Sequence, residues 1–112
     1  QFTEESISAI EPVSDHKVVK QYKLYSNYPN PFNPTTTLKF DVPQNTRNVE
    51  LSIYNILGVK VKTLYSGSVN AGQYTSVWDG TNEAGEVMPS GVYFATLKTE
   101  NFSQTIKMML MK

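Results

Sequence analysis

Cysteine is absent from this sequence of 112 residues, which excludes disulfides, thiolate metal sites and thiol nucleophiles together. Histidine occurs once, as His16, in a polar segment where a solvated side chain is the favoured interpretation. The glycines do not form a nucleotide-binding loop pattern. Paired carboxylates for glycoside hydrolysis lack support, because strand alternation predicts that acids such as Asp41 and Glu50 point outward into solvent.

Excess charge is also absent, since Lys plus Arg and Asp plus Glu each number 10. A balanced chain is not drawn to nucleic acid or to an anionic membrane. No apolar run approaches the roughly 20 residues that span a bilayer, so no transmembrane segment is expected. The sequence begins at Gln1 without an initiator Met or a signal peptide. We therefore expect a piece of a longer exported protein, with its export signal upstream.

The residues that are present follow the pattern of an all-β domain. Residues 1–20 mix polar and scattered apolar residues and are predicted to be a linker or N-terminal arm. Residues 21–112 then run as short Tyr-, Phe-, Val-, Ile- and Thr-rich segments that end in Gly, Pro, Asn or Asp. A length of 112 residues fits one domain. We predict one antiparallel β-sandwich of about seven strands, immunoglobulin- or fibronectin-like.

The strand prediction depends mainly on two-residue periodicity. Leu38, Phe40 and Val42 alternate with polar residues and define one inner face. Trp78 is predicted to anchor the centre of the core, since a large ring fills the gap between two sheets. The proline-rich segment 28–34 is predicted to be a rigid connector or an edge, with Phe32 closing one end of the core.

One loop offers oxygen ligands for calcium, in residues 79–86. Asp79, Asn82 and Glu83 are the candidate ligands, but the spacing fails the EF-hand pattern because Ala84 stands where glycine is required. The competing interpretation is structural: Asp and Asn side chains cap turns. No cofactor is expected.

Five motifs in order resemble a known family: YPNPFNP at 28–34, LSIYNILG at 51–58, WDGTN at 78–82, SGVYF at 90–94 and KMMLMK at 107–112. Together they resemble the type A C-terminal sorting domain of the type IX secretion system. The same body, residues 22–112, also resembles the immunoglobulin-like domain of the flagellar hook-capping protein.

The resemblance implies a non-catalytic module that directs a larger protein across the outer membrane of a Gram-negative bacterium to the exterior or the cell surface. Its implied partners are the type IX translocon and sorting machinery and a covalently linked upstream cargo domain. The implied sorting-signal residues lie in the GVY and KMMLMK motifs: Gly91, Tyr93, Lys107, Met108, Leu110 and Lys112.

Other functions stay open from the sequence alone. An accessory binding or spacer module would contact carbohydrate or protein through exposed aromatic side chains such as Tyr54, Tyr65 or Tyr93. A flagellar hook-assembly part is a third possibility, although it leaves the lysine-bearing terminal motif unexplained. A small hydrolase comes last, because fold alone does not settle function and no catalytic site is recognisable in the sequence. A final strand with a free edge also allows recognition by a receptor or weak self-association.

Overall fold

Eight β-strands make up the computed structural model, which describes residues 9–13 and 18–112. His16 lies outside the described residues. No α-helix occurs in the described part of the chain, and hence none that could span a membrane. The strands are β1 (Glu11–Pro12), β2 (Lys23–Leu24), β3 (Thr36–Val42), β4 (Thr46–Asn55), β5 (Lys60–Val69), β6 (Gly72–Trp78), β7 (Gly91–Lys98) and β8 (Ser103–Leu110).

The strands form two antiparallel sheets, as the sequence predicted, and each sheet has four strands. The first sheet has the order β1-β6-β3-β2 and the second sheet the order β5-β4-β7-β8. Neighbouring strands in each sheet pair antiparallel throughout. The two sheets bury their inner faces against one another, which is the arrangement that removes both apolar faces from water.

The core contains the residues that the two-residue periodicity predicted to face inward. Leu38, Phe40 and Val42 of β3 are fully buried. Trp78, at the end of β6, has 0% of its surface exposed and confirms the predicted anchor. Its ring centroid lies 5.5 Å from that of Phe32 and 5.3 Å from that of Tyr93. Phe32 is also buried, so the proline-rich segment does close one end of the core.

The strand beyond the predicted seven comes from the N-terminal arm. Glu11 and Pro12 pair with β6 at the edge of the first sheet, where a proline is tolerated because its missing N–H faces away from the ladder. Ile10 beside them is buried, and the Ser76 hydroxyl donates to the carbonyl of Ala9 at 2.7 Å. Part of the arm therefore packs against the sandwich, although its sequence shows no strand alternation.

Asp41 corrects the expectation that the acids lie in solvent. Only 7% of its surface is exposed, because the side chains of neighbouring strands cover it. Its carboxylate accepts a hydrogen bond from the Tyr25 hydroxyl at 2.6 Å and another from Gln73 Nε2 at 2.8 Å. A buried charge is tolerated when hydrogen bonds satisfy it. The alternation predicts that Asp41 lies on the outer face, but it does not indicate that Tyr25 and Gln73 lie over that position.

Three tyrosines make the stability of the domain sensitive to alkaline pH. The hydrogen bond to Asp41 raises the pKa of Tyr25, and burial raises the pKa of Tyr74 and of Tyr93. A raised phenol pKa stabilises the fold fully below the ordinary pKa of about 10, and this contribution is lost as the pH rises through the folded pKa. We expect the urea midpoint to fall from about pH 9 to about pH 11.

The matched variant for this prediction is Tyr93→Phe, which removes one of the three shifted phenols. Its urea midpoint should fall less with pH than that of the wild type, because one contribution to the linkage is gone. A wild-type midpoint that stays constant or rises over this range would contradict the prediction.

Candidate recognition surface

Two neighbouring strands carry five of the six residues that the resemblance implied, and the sixth, Lys112, follows the end of β8. Gly91 begins β7, opposite Leu110 at the end of β8, and Tyr93 lies opposite Met108. Lys107 lies opposite Phe94, which follows Tyr93 in β7. Residues separated by more than ten positions in the sequence are therefore brought together at one end of the second sheet, which we call the recognition end.

The structure divides these residues into a buried and an exposed group. Tyr93, Met108 and Leu110 are buried in the core, and the Tyr93 hydroxyl donates to the carbonyl of Pro89 at 2.8 Å. Lys107 and Lys112 are exposed. In the folded domain a partner can contact the two lysines directly, whereas the buried three act by fixing the strands.

Gly91 is required by the backbone. Its φ is +154°, a conformation that L side chains rarely adopt and that glycine reaches without a Cβ clash. A Cβ added there would meet nothing within 4 Å, so conformation and not space limits the position. Gly91 therefore sets the direction in which the chain enters β7.

The proline-rich segment covers the end of β8, which corrects the expectation of a free final strand. The amide of Phe32 donates to the Met109 carbonyl at 3.0 Å, and the Met111 amide donates back to the Phe32 carbonyl at 2.9 Å. The Met109 amide donates to Asn30 Oδ1 at 3.0 Å. The outer edge of β8 is thus paired along its last residues, and a partner strand cannot add there without displacing Phe32.

The candidate calcium ligands are engaged in holding their own loop. Asp79 Oδ1 accepts from the hydroxyl of Thr81 at 2.6 Å, and Thr81 together with the nearby Lys62 lowers the pKa of Asp79. Asn82 Oδ1 accepts from the amide of Glu86 at 2.9 Å. Within residues 9–13 and 18–112 there is no group of three His, Cys, Asp or Glu side chains placed to hold a metal ion.

Glu83, the third candidate, turns toward β5 instead of toward Asp79 or Asn82. Its Oε2 accepts from the amide of Thr63 at 2.7 Å. The loop oxygens therefore accept hydrogen bonds from separate donors, which agrees with the structural interpretation of this sequence.

The tyrosines considered for carbohydrate binding do not form a common exposed surface. Tyr93 is buried, which corrects its assignment as an exposed aromatic. Tyr54 and Tyr65 are half-buried. Lys60 Nζ lies 6.0 Å from the centroid of the Tyr54 ring, and the Tyr65 hydroxyl donates to the carbonyl of Ser68.

Two apolar residues at the recognition end escaped the sequence-based prediction. Ile56 and Leu57 form the turn between β4 and β5 and are exposed. Within the motif LSIYNILG, Asn55 and Gly58 are turn formers and indicate the turn itself. The available signal was the pair of large aliphatic residues between them, where most turns carry polar residues.

Comparison with known proteins places the chain in a family. The model of the FlgD Ig-like domain matches residues 27–103, more than half of the chain. A comparison with curated protein sequences finds no match. Among solved structures, FlgD from P. aeruginosa superposes with a TM-score of 0.53 at 21% identity, over 83% of this chain and 74% of that chain.

Two further solved structures share the fold. PorU from Porphyromonas gingivalis, described as dimeric and latent, has a TM-score of 0.59 at 17% identity, over 82% of this chain and 10% of that chain. PorZ, described as an essential bacterial surface component of the type-IX secretion system of the same organism, has a TM-score of 0.51 at 17% identity, over 88% of this chain and 12% of that chain. This chain thus spans a small part of PorU and PorZ. By its sequence match and its two-sheet fold, the chain belongs to the FlgD Ig-like domain family.

Proposed function

We propose that this domain is a non-catalytic sorting and anchoring module, which directs a covalently linked cargo across the outer membrane by type IX secretion. The observation that carries the proposal is the recognition end, where Gly91 and Tyr93 pair with the KMMLMK segment. Residues 1–20 would then join the cargo to the sandwich, with Glu11 and Pro12 of this arm adding a short edge strand to the first sheet. The protein would be secreted or displayed at the cell surface.

The mechanism that fits this role is recognition of a shaped surface. Tyr93, Met108 and Leu110 are buried and hold β7 and β8 in register. Lys107 and Lys112 are exposed, and no ion pair joins either lysine to a described residue. Two exposed cations that form no ion pair with the described residues are available to carboxylates of the translocon or sorting machinery.

The fold likeness to PorZ, a type IX secretion component, supports this proposal. The match to FlgD supports a different one, a part in flagellar hook assembly. An accessory binding module is less well supported, because the aromatic side chains that would touch carbohydrate are buried or half-buried.

The test is surface display of a reporter fused to this chain in a type IX-competent bacterium. Deletion of residues 107–112 is a poor variant, because it removes Met108 and Leu110 from the core. The variant Lys107→Gln/Lys112→Gln keeps the fold and removes both charges. We expect surface display to fall about tenfold, which corresponds to about 1.4 kcal/mol of lost recognition.

The matched control is Lys20→Gln/Lys98→Gln, which removes two exposed lysines away from the recognition end. Its surface display should equal that of the wild type. Equal display of all three fusions would refute the role assigned to the two terminal lysines. Retention of the wild-type fusion in the periplasm, with the domain folded, would favour the hook-assembly or binding-module functions.

A further inference from the structure

Large aliphatic side chains project into solvent at the tip of the β4–β5 hairpin. Ile56 is 72% exposed and Leu57 is 83% exposed. Val59 follows them and is also exposed. Single exposed apolar residues are ordinary on protein surfaces, but three within four positions of one turn form a local apolar cluster. We call residues 56–59 the hairpin tip.

Hydrogen bonds fix the backbone of the hairpin tip. The side chain of Asn55 accepts hydrogen bonds through Oδ1 from the amides of Leu57 at 2.9 Å and Val59 at 3.0 Å. The Gly58 amide donates to the Asn55 carbonyl at 3.0 Å, and the φ of Gly58 is +82°, which favours glycine. Little conformational entropy remains to be lost when such a turn binds a partner.

The tip lies at the same end of the second sheet as other exposed apolar side chains. Asn55 lies opposite Tyr93 of β7, and Val92 lies opposite Met109 of β8. Met109 and the following Met111 are both exposed. Methionine side chains adapt readily to the shape of a partner. Aliphatic residues on a hydrogen-bonded turn and two adaptable methionine side chains therefore lie at one end of the second sheet.

The charge of this end indicates the chemistry of the partner. Lys60, at the start of β5, is neutralised by Glu50 at 2.6 Å. Lys107 and Lys112 have no ion pair with any described residue. Glu83 adds negative charge near Lys60 on the β5 side of this end, so the positive charge that no described acid pairs with lies on the β8 side, at Lys107 and Lys112. A partner with carboxylates around an apolar cleft fits both features.

We propose that the hairpin tip inserts Ile56 and Leu57 into an apolar cleft of the protein that recognises this domain during secretion. Carboxylates at the rim of that cleft pair with Lys107 and Lys112. The proposal rests on the proposed function and extends it from the terminal motif to a second segment of the chain. An apolar centre surrounded by a polar rim is the usual arrangement of a protein interface.

The test uses the full chain fused to a reporter, with the variant Ile56→Ser/Leu57→Ser. Both side chains are exposed, so the melting temperature should stay near that of the wild type. Surface display should fall at least about tenfold, as expected for loss of a hot-spot anchor. The matched control is Val18→Ser/Val77→Ser, which replaces two exposed aliphatic residues away from the tip, and its display should be unchanged.

Each outcome separates this inference from the proposed function. Failure of the wild-type fusion to reach the surface overturns both. Display of the wild type and the tip variant at equal levels overturns only the role of the tip. Sedimentation of the purified chain provides a second readout: a dimer that the tip variant abolishes would make a second copy the occupant and would overturn the proposal.

Discussion

Replacement of Trp78 by Ala is expected to lower the free energy of unfolding by about 3–5 kcal/mol, as for other buried aromatic residues. The ring is fully buried and contacts Phe32 and Tyr93 by edge or tilted packing. Its Nε1 also donates to the carbonyl of Thr81 at 2.9 Å. The substitution thus leaves a large cavity and an unpaired carbonyl. Native proteins typically have a total stability of about 5–15 kcal/mol, so a loss of this size is severe.

The measurement is urea denaturation followed by circular dichroism, because Trp78 is the only tryptophan and its fluorescence is lost in the variant. Trp78→Phe is the matched variant, since it keeps an aromatic ring in the core but removes the Nε1 donor. It should be more stable than Trp78→Ala. A loss below about 1 kcal/mol in Trp78→Ala would show that the ring does not support the core.

The second large effect is expected at Phe32, where substitution by Ala should also cost about 3–5 kcal/mol. Phe32 is buried against Trp78 although it lies in a proline-rich segment outside the main strands. Tyr28, in the same segment, provides the control because 81% of its surface is exposed. Tyr28→Ala should change the stability by no more than about 0.5 kcal/mol. Similar losses in the two variants would contradict the predicted asymmetry.

Phe32→Ala should also loosen the end of β8. The Met111 amide donates to the Phe32 carbonyl, and this contact depends on how firmly the Phe32 side chain holds its segment in place. Hydrogen exchange at Met111 should therefore accelerate more in Phe32→Ala than in Tyr28→Ala, since local opening costs less free energy. Unchanged exchange at Met111 would show that the Phe32 side chain is not needed to hold the proline-rich segment against the edge of β8.

Periodicity in the sequence identified the strands and their inner faces where one face is buried. Leu38, Phe40 and Val42 are buried as the alternation predicted, because a one-residue shift would move all three into solvent. Glu11 and Pro12 were not recognised as a strand. Two residues are too few to show a period, and their pairing depends on the edge that β6 offers.

The candidate site could be predicted only as a set of strands. The motifs at 90–94 and 107–112 are adjacent in the sheet, but a motif does not say which of its side chains face the core. Tyr93 and Asp41 are both buried, and in each case side chains from distant parts of the sequence provide the cover. Ile56 and Leu57 show the opposite case. Large apolar residues are ordinarily expected in the core, and their sequence does not reveal that no other described segment covers them.

The most direct test of the sorting function compares one fusion in two strains. The chain, joined to a folded reporter with an inner-membrane export signal, is expressed in a type IX-competent bacterium and in a derivative without the translocon. Protease accessibility of the reporter on intact cells is then measured. The sorting function predicts accessible reporter in the competent strain and protected, periplasmic reporter in the derivative. Protected reporter in both strains, with the domain folded, would contradict it.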